Sequence, residues 1–226
     1  MGNASNYYSD RLNSNKLQRC YEVAPKRVKQ FLEAEIDFVL NKINHSDIVL
    51  DLGCGFGRVS MRLLEKAKQV FGIDISSDNI QLAKEIYKNE ALRFYEMDAI
   101  DLSFEDDQFD VTICIQNGIS AFKVNPKQLI REALRVTKKD GTVLFSSYSE
   151  KFWEERLKWF QIQAEEGIIG EINYDLTNNG IIVCKDGFTA ITFSGQEFLN
   201  LALNITVEAK IYEIDNSSIF CEIIKK

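Results

Sequence analysis

The chain contains the segment VLDLGCGFGR at residues 49–58, and this segment decides the fold. An apolar run interrupted by one aspartate leads directly into glycine at every second position, at Gly53, Gly55 and Gly57. Glycine tolerates positive φ and has no side chain that would keep a ligand away from the backbone. A glycine turn at the end of a buried parallel strand is typical of a nucleotide site. The segment therefore predicts a strand, a tight ligand-binding turn and the start of a helix.

Outward from this segment, strand-like and helical patterns alternate between residues 47 and 148. The predicted strands are Ile48–Asp51, Gln69–Asp74, Leu92–Met97, Phe109–Ile115 and Thr142–Ser147, with helices at Arg58–Ala67, Asp78–Asn89 and Pro126–Val136 between them. A further helix is predicted to open at Pro25. Strands separated by helices indicate a parallel sheet that is covered on both faces. We therefore expect an α/β fold with a doubly wound, mostly parallel sheet.

The pattern changes after residue 148. A helix is predicted over 151–166, followed by short strand-like segments with turn signals at 178–180 and 185–187. A helix from 194 to 203 and two closing strands, Ile205–Ile214 and Ser218–Ile224, complete the chain. We expect one domain over 1–226, with a lid and helix at 1–45, a core at 46–148, a helix and β insert at 149–203, and a terminal hairpin at 204–226.

Composition narrows the class of function. The net charge of −7 argues against a large basic surface for nucleic acid. No apolar run approaches the length of a membrane span, and the polar first ten residues do not resemble a secretory signal. The five cysteines are scattered without a C-x-x-C pair, which predicts neither disulfides nor a metal site and favours a cytoplasmic location. The single histidine, His45, lies in a polar turn, so Ser-His or Cys-His catalysis is not expected.

The spacing of the glycines indicates which class of nucleotide ligand the turn can bind. A dinucleotide turn, G-x-G-x-x-G, requires its third glycine at position 58, where this chain has Arg58. The phosphate loop G-x-x-x-x-G-K-[S/T] is also absent from the sequence. The turn therefore lacks the features that fit a pyrophosphate or a triphosphate, and it suits a ligand whose amino-acid part lies against the backbone.

Acidic residues end three successive predicted strands: Asp51, Asp74 and Asp98. Asp74 follows Gly55 by 19 residues, and its carboxylate can accept both hydrogen bonds of a ribose diol. Asp98 is positioned to accept from an adenine amino group. Aspartates at strand ends are also common turn formers and helix caps. Three of them in this order, beside the glycine turn, favour a nucleoside site.

At this point the sequence resembles the class I S-adenosylmethionine-dependent methyltransferases. Residues 51–57 resemble the first motif of that family, whose glycines contact the methionine part of the cofactor. Asp74 stands at the position of the family's ribose-binding acid, and Ile75 stands where a side chain packs on adenine. Asp98 and Ala99 match the position that meets the adenine amino group.

The resemblance extends over residues 47–148. Residues 109–111 leading into 115–118 resemble the fourth motif, beside the transferring methyl group, and residues 134–144 resemble the run into the fifth strand. The resemblance implies a seven-stranded Rossmann-like sheet whose last strand is antiparallel, with S-adenosylmethionine as methyl donor and S-adenosylhomocysteine as product. The implied cofactor-binding residues are Asp51, Gly53, Cys54, Gly55, Asp74, Ile75, Asp98, Ala99 and Gln116.

The layout outside this core is similar to that of the glycine and sarcosine N-methyltransferases, which have an N-terminal helical lid and a strand-rich insert. It implies a small-molecule acceptor, methylated by in-line displacement, and assigns no catalytic base. The candidate substrate contacts are Tyr7, Tyr8, Tyr21, Asn117 and Tyr148, each of which has ordinary packing as its alternative role. Aromatic faces favour a cationic ligand. Arg19 or Arg27 is a candidate partner for the cofactor carboxylate, and Phe152, Trp153, Leu157 and Phe160 are expected to form the core face of a helix.

Three alternatives stay open from the sequence. One is an NAD-dependent oxidoreductase with the same architecture, against which Arg58 counts. Another is methylation of RNA or protein, which requires a basic groove that the composition does not predict. The third is a cofactor-binding subunit without enzyme activity. The acceptor and the oligomeric state are left open by the sequence, and no metal, membrane or nucleic-acid partner is expected.

Overall fold

The computed structural model describes residues 7, 11–203 and 207–226, and a seven-stranded sheet forms its centre. The strands of the chain are β1 (Ile48–Leu52), β2 (Gln69–Asp74), β3 (Leu92–Glu96), β4 (Phe109–Cys114), β5 (Thr137–Tyr148), β6 (Ile181–Val183), β7 (Thr189–Ile191), β8 (Val207–Ile214) and β9 (Ser218–Lys225). The order in the sheet is β3-β2-β1-β4-β5-β9-β8. The first five strands pair in parallel, whereas β9 is antiparallel to both of its neighbours. The predicted mostly parallel sheet with an antiparallel last strand is confirmed.

Helices cover both faces of this sheet. They are α1 (Ser14–Glu22), α2 (Lys26–Leu40), α3 (Arg58–Leu63), α4 (Ser77–Ile86), α5 (Gly118–Ala121), α6 (Pro126–Val136), α7 (Trp153–Glu165) and α8 (Gly195–Ala202). One apolar cluster joins α2, α3 and α4 to one face, and a second joins α6 and α8 to the other. Helix α6 shows why: Leu129, Ile130, Ala133 and Leu134 recur at helical spacing and are all buried.

A third apolar cluster lies over the carboxyl ends of the strands. It combines α1 and the first half of α2 with α7 and the insert that holds β6 and β7. Those two short strands form a separate antiparallel sheet, and Ile172 adds a single bridge to Cys184. The predicted helical lid and small β insert are therefore present, and together they roof the edge of the sheet where parallel strands end.

The largest departure from the predicted elements is at the start of β5. The sequence predicts a turn at Asp140-Gly141 followed by a strand from Thr142, but the strand begins at Thr137. Pairing with β4 jumps from Phe109–Thr137 to Val111–Thr142, so these residues form a bulge within the strand. A Cβ at Gly141 would lie 2.8 Å from two backbone oxygens, so the bulge has room only for glycine.

Smaller differences concern the ends of elements. Helices α3 and α4 end four and three residues before the predicted ends at Ala67 and Asn89. The first two residues of the predicted strand Ile205–Ile214 lie outside the described residues. Within the described part of the chain, no helix combines the length and the apolar character that crossing a bilayer requires.

Candidate functional site

The glycine turn after β1 is fixed by hydrogen bonds to the neighbouring strand. The backbone N–H groups of Gly53 and Cys54 both donate to the carbonyl oxygen of Ile73, each at 2.8 Å. Gly53 and Gly55 have φ values of +75° and +55°, a conformation that side chains with a Cβ rarely adopt. Gly53 is exposed, so the backbone of the turn is open to a ligand.

Asp74 ties this turn to the end of β2. Its Oδ2 accepts the N–H of Gly55 at 2.9 Å, and its Oδ1 accepts from the Ser76 N–H at 2.9 Å and Asn79 Nδ2 at 3.3 Å. Burial raises the pKa of Asp74, and the three donors oppose that shift. An ionised carboxylate has about four acceptor sites, so one site of Oδ2 is left for a ligand. Ile75, the next residue, lines the pocket and is 40% exposed.

Asp51 lies at the floor of the same pocket and is buried. Its Oδ2 accepts the Ser60 hydroxyl at 2.6 Å, which joins β1 to α3. Burial raises the pKa of Asp51 to about 6, opposed by the Ser60 hydrogen bond and the positive charge of Arg58. Through this hydrogen bond, Asp51 fixes the helix that follows the glycine turn.

The end of β4 forms the opposite wall, where Gln116 and Asn117 have φ values of +56° and +61°. Two consecutive left-handed residues that are not glycine store backbone strain, which the surrounding contacts must offset. The Gln116 N–H donates to both Glu35 Oε2, at 2.6 Å, and Ser146 Oγ, at 2.8 Å. Glu35 is fully buried, and burial raises its pKa to about 7. Glu35 thus holds the strained turn from beneath.

The side chain of Asn117 attaches the β insert to this wall. Its Nδ2 donates to the Ile191 carbonyl at 2.9 Å, and its Oδ1 accepts the Ser147 hydroxyl at 2.7 Å. The Ile191 N–H in turn donates to Ser120 Oγ at 2.9 Å. As a result β7 lies over the pocket, and Ala190 forms part of its lining.

The N-terminal helix α1 covers the glycine turn. A Cβ built at Gly55 would lie 2.9 Å from Leu17 Cδ2, which shows how close the lid approaches. The backbone N–H of Ser14 donates to Asn79 Oδ1 at 2.7 Å, and the same Asn79 side chain donates to Asp74. The lid is therefore connected, through one buried asparagine, to the acid at the end of β2.

Ten of the predicted site residues line this one pocket. Seven of them belong to the predicted cofactor set and three to the predicted substrate set: Asp51, Gly53, Cys54, Gly55, Asp74, Ile75 and Gln116, with Tyr21, Asn117 and Tyr148. Phe160, expected only as core, also reaches the pocket. The ten predicted site residues in the pocket are up to 127 positions apart in the sequence, from Tyr21 to Tyr148.

Several predicted residues do not line the pocket. Asp98 accepts the Ile100 N–H at 3.1 Å and so caps its own turn, while Ala99 is packed in the core. The Tyr7 hydroxyl donates to Asp186 at 2.6 Å on the outer side of the insert. Arg19 and Arg27 pair with Glu166 and Asp215 away from the pocket. Tyr8 lies outside the described residues, so its prediction is not tested.

The sequence interpretation also missed residues that the pocket contains. Arg58 projects its guanidinium over the Tyr21 ring, 4.4 Å from the centroid, and donates to Gln116 Oε1 at 2.6 Å. Leu17 and Phe122 close the lining over the glycine turn. Arg58 had a sequence signal, because it replaces a dinucleotide glycine, but the lid and loop residues had none.

Comparison with known proteins gives a family match within the core. A family model described as "Methyltransferase domain" matches residues 49–141. The 2-methyl-6-phytyl-1,4-hydroquinone methyltransferase of Synechocystis is 31% identical over 149 residues, covering 58% of this chain and 46% of that protein. The ubiquinone biosynthesis O-methyltransferase of Coxiella burnetii is 28% identical over 141 residues, covering 62% and 56%. The chain spans about half the length of these curated relatives.

Solved structures share the fold over most of the chain. The PH0226 protein of Pyrococcus horikoshii superposes with a TM-score of 0.69 at 22% identity, covering 95% of this chain and all (100%) of that one. A SAM-dependent methyltransferase from Methanosarcina mazei superposes with a TM-score of 0.62 at 22% identity, covering 83% and 96%. At this identity the similarity concerns the architecture of the sheet, its helices and its roof.

Proposed function

We propose that the chain is a class I S-adenosylmethionine-dependent methyltransferase that transfers a methyl group from S-adenosylmethionine to a small-molecule acceptor. The match of residues 49–141 to a family model described as "Methyltransferase domain" supports this proposal. One observation carries the proposal. The open backbone of the glycine turn, the carboxylate of Asp74 and the exposed side chain of Ile75 converge on a single pocket at the strand ends. These are the groups that a methionine moiety, a ribose and an adenine require.

The residues present fit this cofactor. Gly53 and Gly55 would hold the methionine part against the backbone of the turn. A Cβ added at Gly55 would lie 2.9 Å from Leu17 of the lid, so a larger residue there would narrow the space for a ligand. Asp74 retains an acceptor site for a ribose hydroxyl after its three internal hydrogen bonds. Ile75 offers an apolar surface for a purine ring. Asp98 does not line the pocket, so in this proposal recognition of the adenine amino group falls to other atoms.

S-adenosylmethionine supplies a methyl group that is already activated by its sulfonium. The chain therefore has to orient the two reactants in line and exclude water. The lid helix α1 and the insert, which is fastened by Asn117, support this role because they roof the pocket from two sides. Burial raises the pKa of Tyr21 and of Tyr148, so both stay protonated near pH 7 and serve as hydrogen-bond donors rather than bases.

A small acceptor agrees with the enclosed pocket and with the net charge of −7. Small amines, thiols and carboxylates are candidate acceptors for such a site. The two curated relatives are named for reactions on a hydroquinone and in ubiquinone biosynthesis, so phenols are candidates as well. The five free, buried cysteines agree with a reducing cytoplasm. We treat the whole chain as one domain in which the lid and the insert complete the cofactor site.

The experiment that tests the proposal is a screen with S-adenosylmethionine labelled in its methyl group. Small amines, thiols, carboxylates and phenols are offered one at a time, with total RNA and a protein extract as rival acceptors. We expect label to enter a small molecule. If label enters only RNA or protein, the proposed small-molecule acceptor is wrong and the acceptor is a macromolecule. Reduction of NAD by any of the small molecules, without label transfer, would support an oxidoreductase and contradict the proposal.

A further inference from the structure

The geometry points to Arg58 as a carboxylate-binding residue of this pocket, an inference that rests on the proposed function. Arg58 begins α3 directly after the glycine turn and lines the pocket. Its guanidinium lies 4.4 Å from the centre of the Tyr21 ring and donates one hydrogen bond to Gln116 Oε1. Two contacts from two different elements therefore fix the plane of the cation.

The charge of Arg58 has no direct counterpart in the part of the chain that the structure describes. No carboxylate oxygen there lies within 4.0 Å of its guanidinium nitrogens, and its buried Nε has no hydrogen-bond partner there. Asp51 and Glu35 feel its charge, but their oxygens accept from Ser60 and from the Gln116 turn instead. A buried N–H donor such as this Nε is costly when it lacks an acceptor, and the geometry is consistent with a ligand that supplies one.

Three other arginines of the chain differ from Arg58 in having a carboxylate partner. Arg27 pairs with Asp215 at 2.6 Å, and Arg135 pairs with Glu132 and Asp106 at 2.6 and 2.7 Å. Arg62, four residues after Arg58 on the same helix, pairs with Glu33 and Glu65 at the surface. Arg58 is the one Lys or Arg among the described residues that line the pocket. A negative group inside this pocket therefore has a single cationic partner available.

A carboxylate is the ligand group that best fits the guanidinium of Arg58. The planar guanidinium presents a rigid fork of donors that matches two carboxylate oxygens, and stacking on an aromatic ring leaves the fork's edge free. Two sources supply such a group: the methionine carboxylate of the donor, or a carboxylate on the acceptor. Both place the same anion on the same nitrogen atoms, and binding measurements separate them.

The test compares three variants by calorimetry: Arg58→Met, Arg58→Lys and the control Arg62→Met. Arg58→Met keeps an unbranched side chain that reaches the position of Nε and removes the charged guanidinium, whereas Arg58→Lys keeps the charge and removes the fork. The first ligand pair is S-adenosylhomocysteine and 5′-deoxy-5′-(3-aminopropylthio)adenosine, which lacks only the carboxylate. The second pair is 4-hydroxybenzoate and 4-hydroxybenzamide, titrated into protein saturated with S-adenosylhomocysteine. Thermal unfolding verifies that each variant is folded.

If the donor supplies the carboxylate, Arg58→Met weakens S-adenosylhomocysteine binding by about 10- to 100-fold and changes binding of the decarboxylated analogue by less than about twofold. Arg58→Lys falls between these values. If the acceptor supplies it, S-adenosylhomocysteine binding is unchanged and 4-hydroxybenzoate, not its amide, loses affinity by a similar factor. Arg62→Met changes neither.

Unchanged affinity for both carboxylates in a folded Arg58→Met variant overturns the assignment. An equal loss for the carboxylates and for their uncharged analogues also overturns it, because such a loss reports a change of pocket shape. Failure of the wild-type chain to bind S-adenosylhomocysteine is a different result. It contradicts the proposed function itself.

Discussion

Substitution of Gly55 by alanine tests the role of the glycine turn, and the chain provides a matched control. Gly55 has a φ of +55°, and an added Cβ would lie 2.9 Å from Leu17 Cδ2 in the lid. Gly167 has a similar φ of +67°, but an added Cβ there meets nothing within 4 Å. Alanine therefore introduces comparable backbone strain at both positions and a collision at only one.

The magnitudes separate the two effects. Left-handed backbone costs an ordinary residue roughly 1–2 kcal/mol, so both variants should lose about that much unfolding free energy, or about 2–8 °C in melting temperature for a chain of this size. At Gly55, Leu17 must also retreat by at least 0.5 Å to restore the ordinary contact distance of 3.4 Å. Leu17 ends in a flexible methyl, so we expect this movement to change the pocket more than the overall stability.

Calorimetry with S-adenosylhomocysteine reports the pocket, and thermal unfolding reports the strain. We expect Gly55→Ala to weaken binding at least about tenfold, which is about 1.4 kcal/mol, while Gly167→Ala binds as the wild type does. A second substitution, Leu17→Ala, makes room for the new methyl and should recover part of the affinity. Equal binding by Gly55→Ala and Gly167→Ala would refute the claim that the ligand lies against this turn.

Three further outcomes follow from single contacts. Asp74→Asn removes the charge that a ribose diol would meet, so calorimetry should show at least about tenfold weaker S-adenosylhomocysteine binding, and the melting temperature should also fall because an NH2 group replaces one oxygen that accepts an N–H; unchanged affinity would refute its ribose role. Burial raises the pKa of Glu35 to about 7, against 4.5 in the unfolded chain. Protonated Glu35 therefore contributes to the unfolding free energy fully below pH 4.5, and this contribution is lost as the pH rises through 7. Denaturant unfolding of Glu35→Gln should lack that loss, and a profile parallel to wild type would show that Glu35 is not its source. Asn79→Ala breaks the link from Asp74 to Ser14, so trypsin should cleave within the lid sooner; equal cleavage rates would show that Asn79 does not hold the lid.

The architecture was predictable because its signals are local. The alternation of apolar runs and helical periodicity located the strands of the parallel core, and Asp215-Asn216 marked the closing hairpin, where both residues have φ near +50° in the structure (55° and 49°). The start of β5 was not predictable in the same way. Asp140-Gly141 carries the sequence signal of a turn, and only the pairing of its flanks with β4 converts it into a bulge.

The residues of the pocket also differ in whether local sequence or tertiary contacts determine their positions. Asp51, Gly55 and Asp74 are adjacent to strand ends, so their positions follow once the strands are known. Asp98 satisfies the same rule, yet its side chain bonds to its own turn, a competition that sequence alone does not resolve. Glu35 had no local signal, because it is one acidic residue in an amphipathic helix and becomes part of the site only through its contact with Gln116.

Direct titration of the wild-type chain tests the central claim most simply. S-adenosylhomocysteine and NAD are titrated separately into the full chain by calorimetry, at the same pH and ionic strength. The account predicts that one molecule of S-adenosylhomocysteine binds per chain and that NAD produces no binding heat. Binding of NAD without binding of S-adenosylhomocysteine would contradict it.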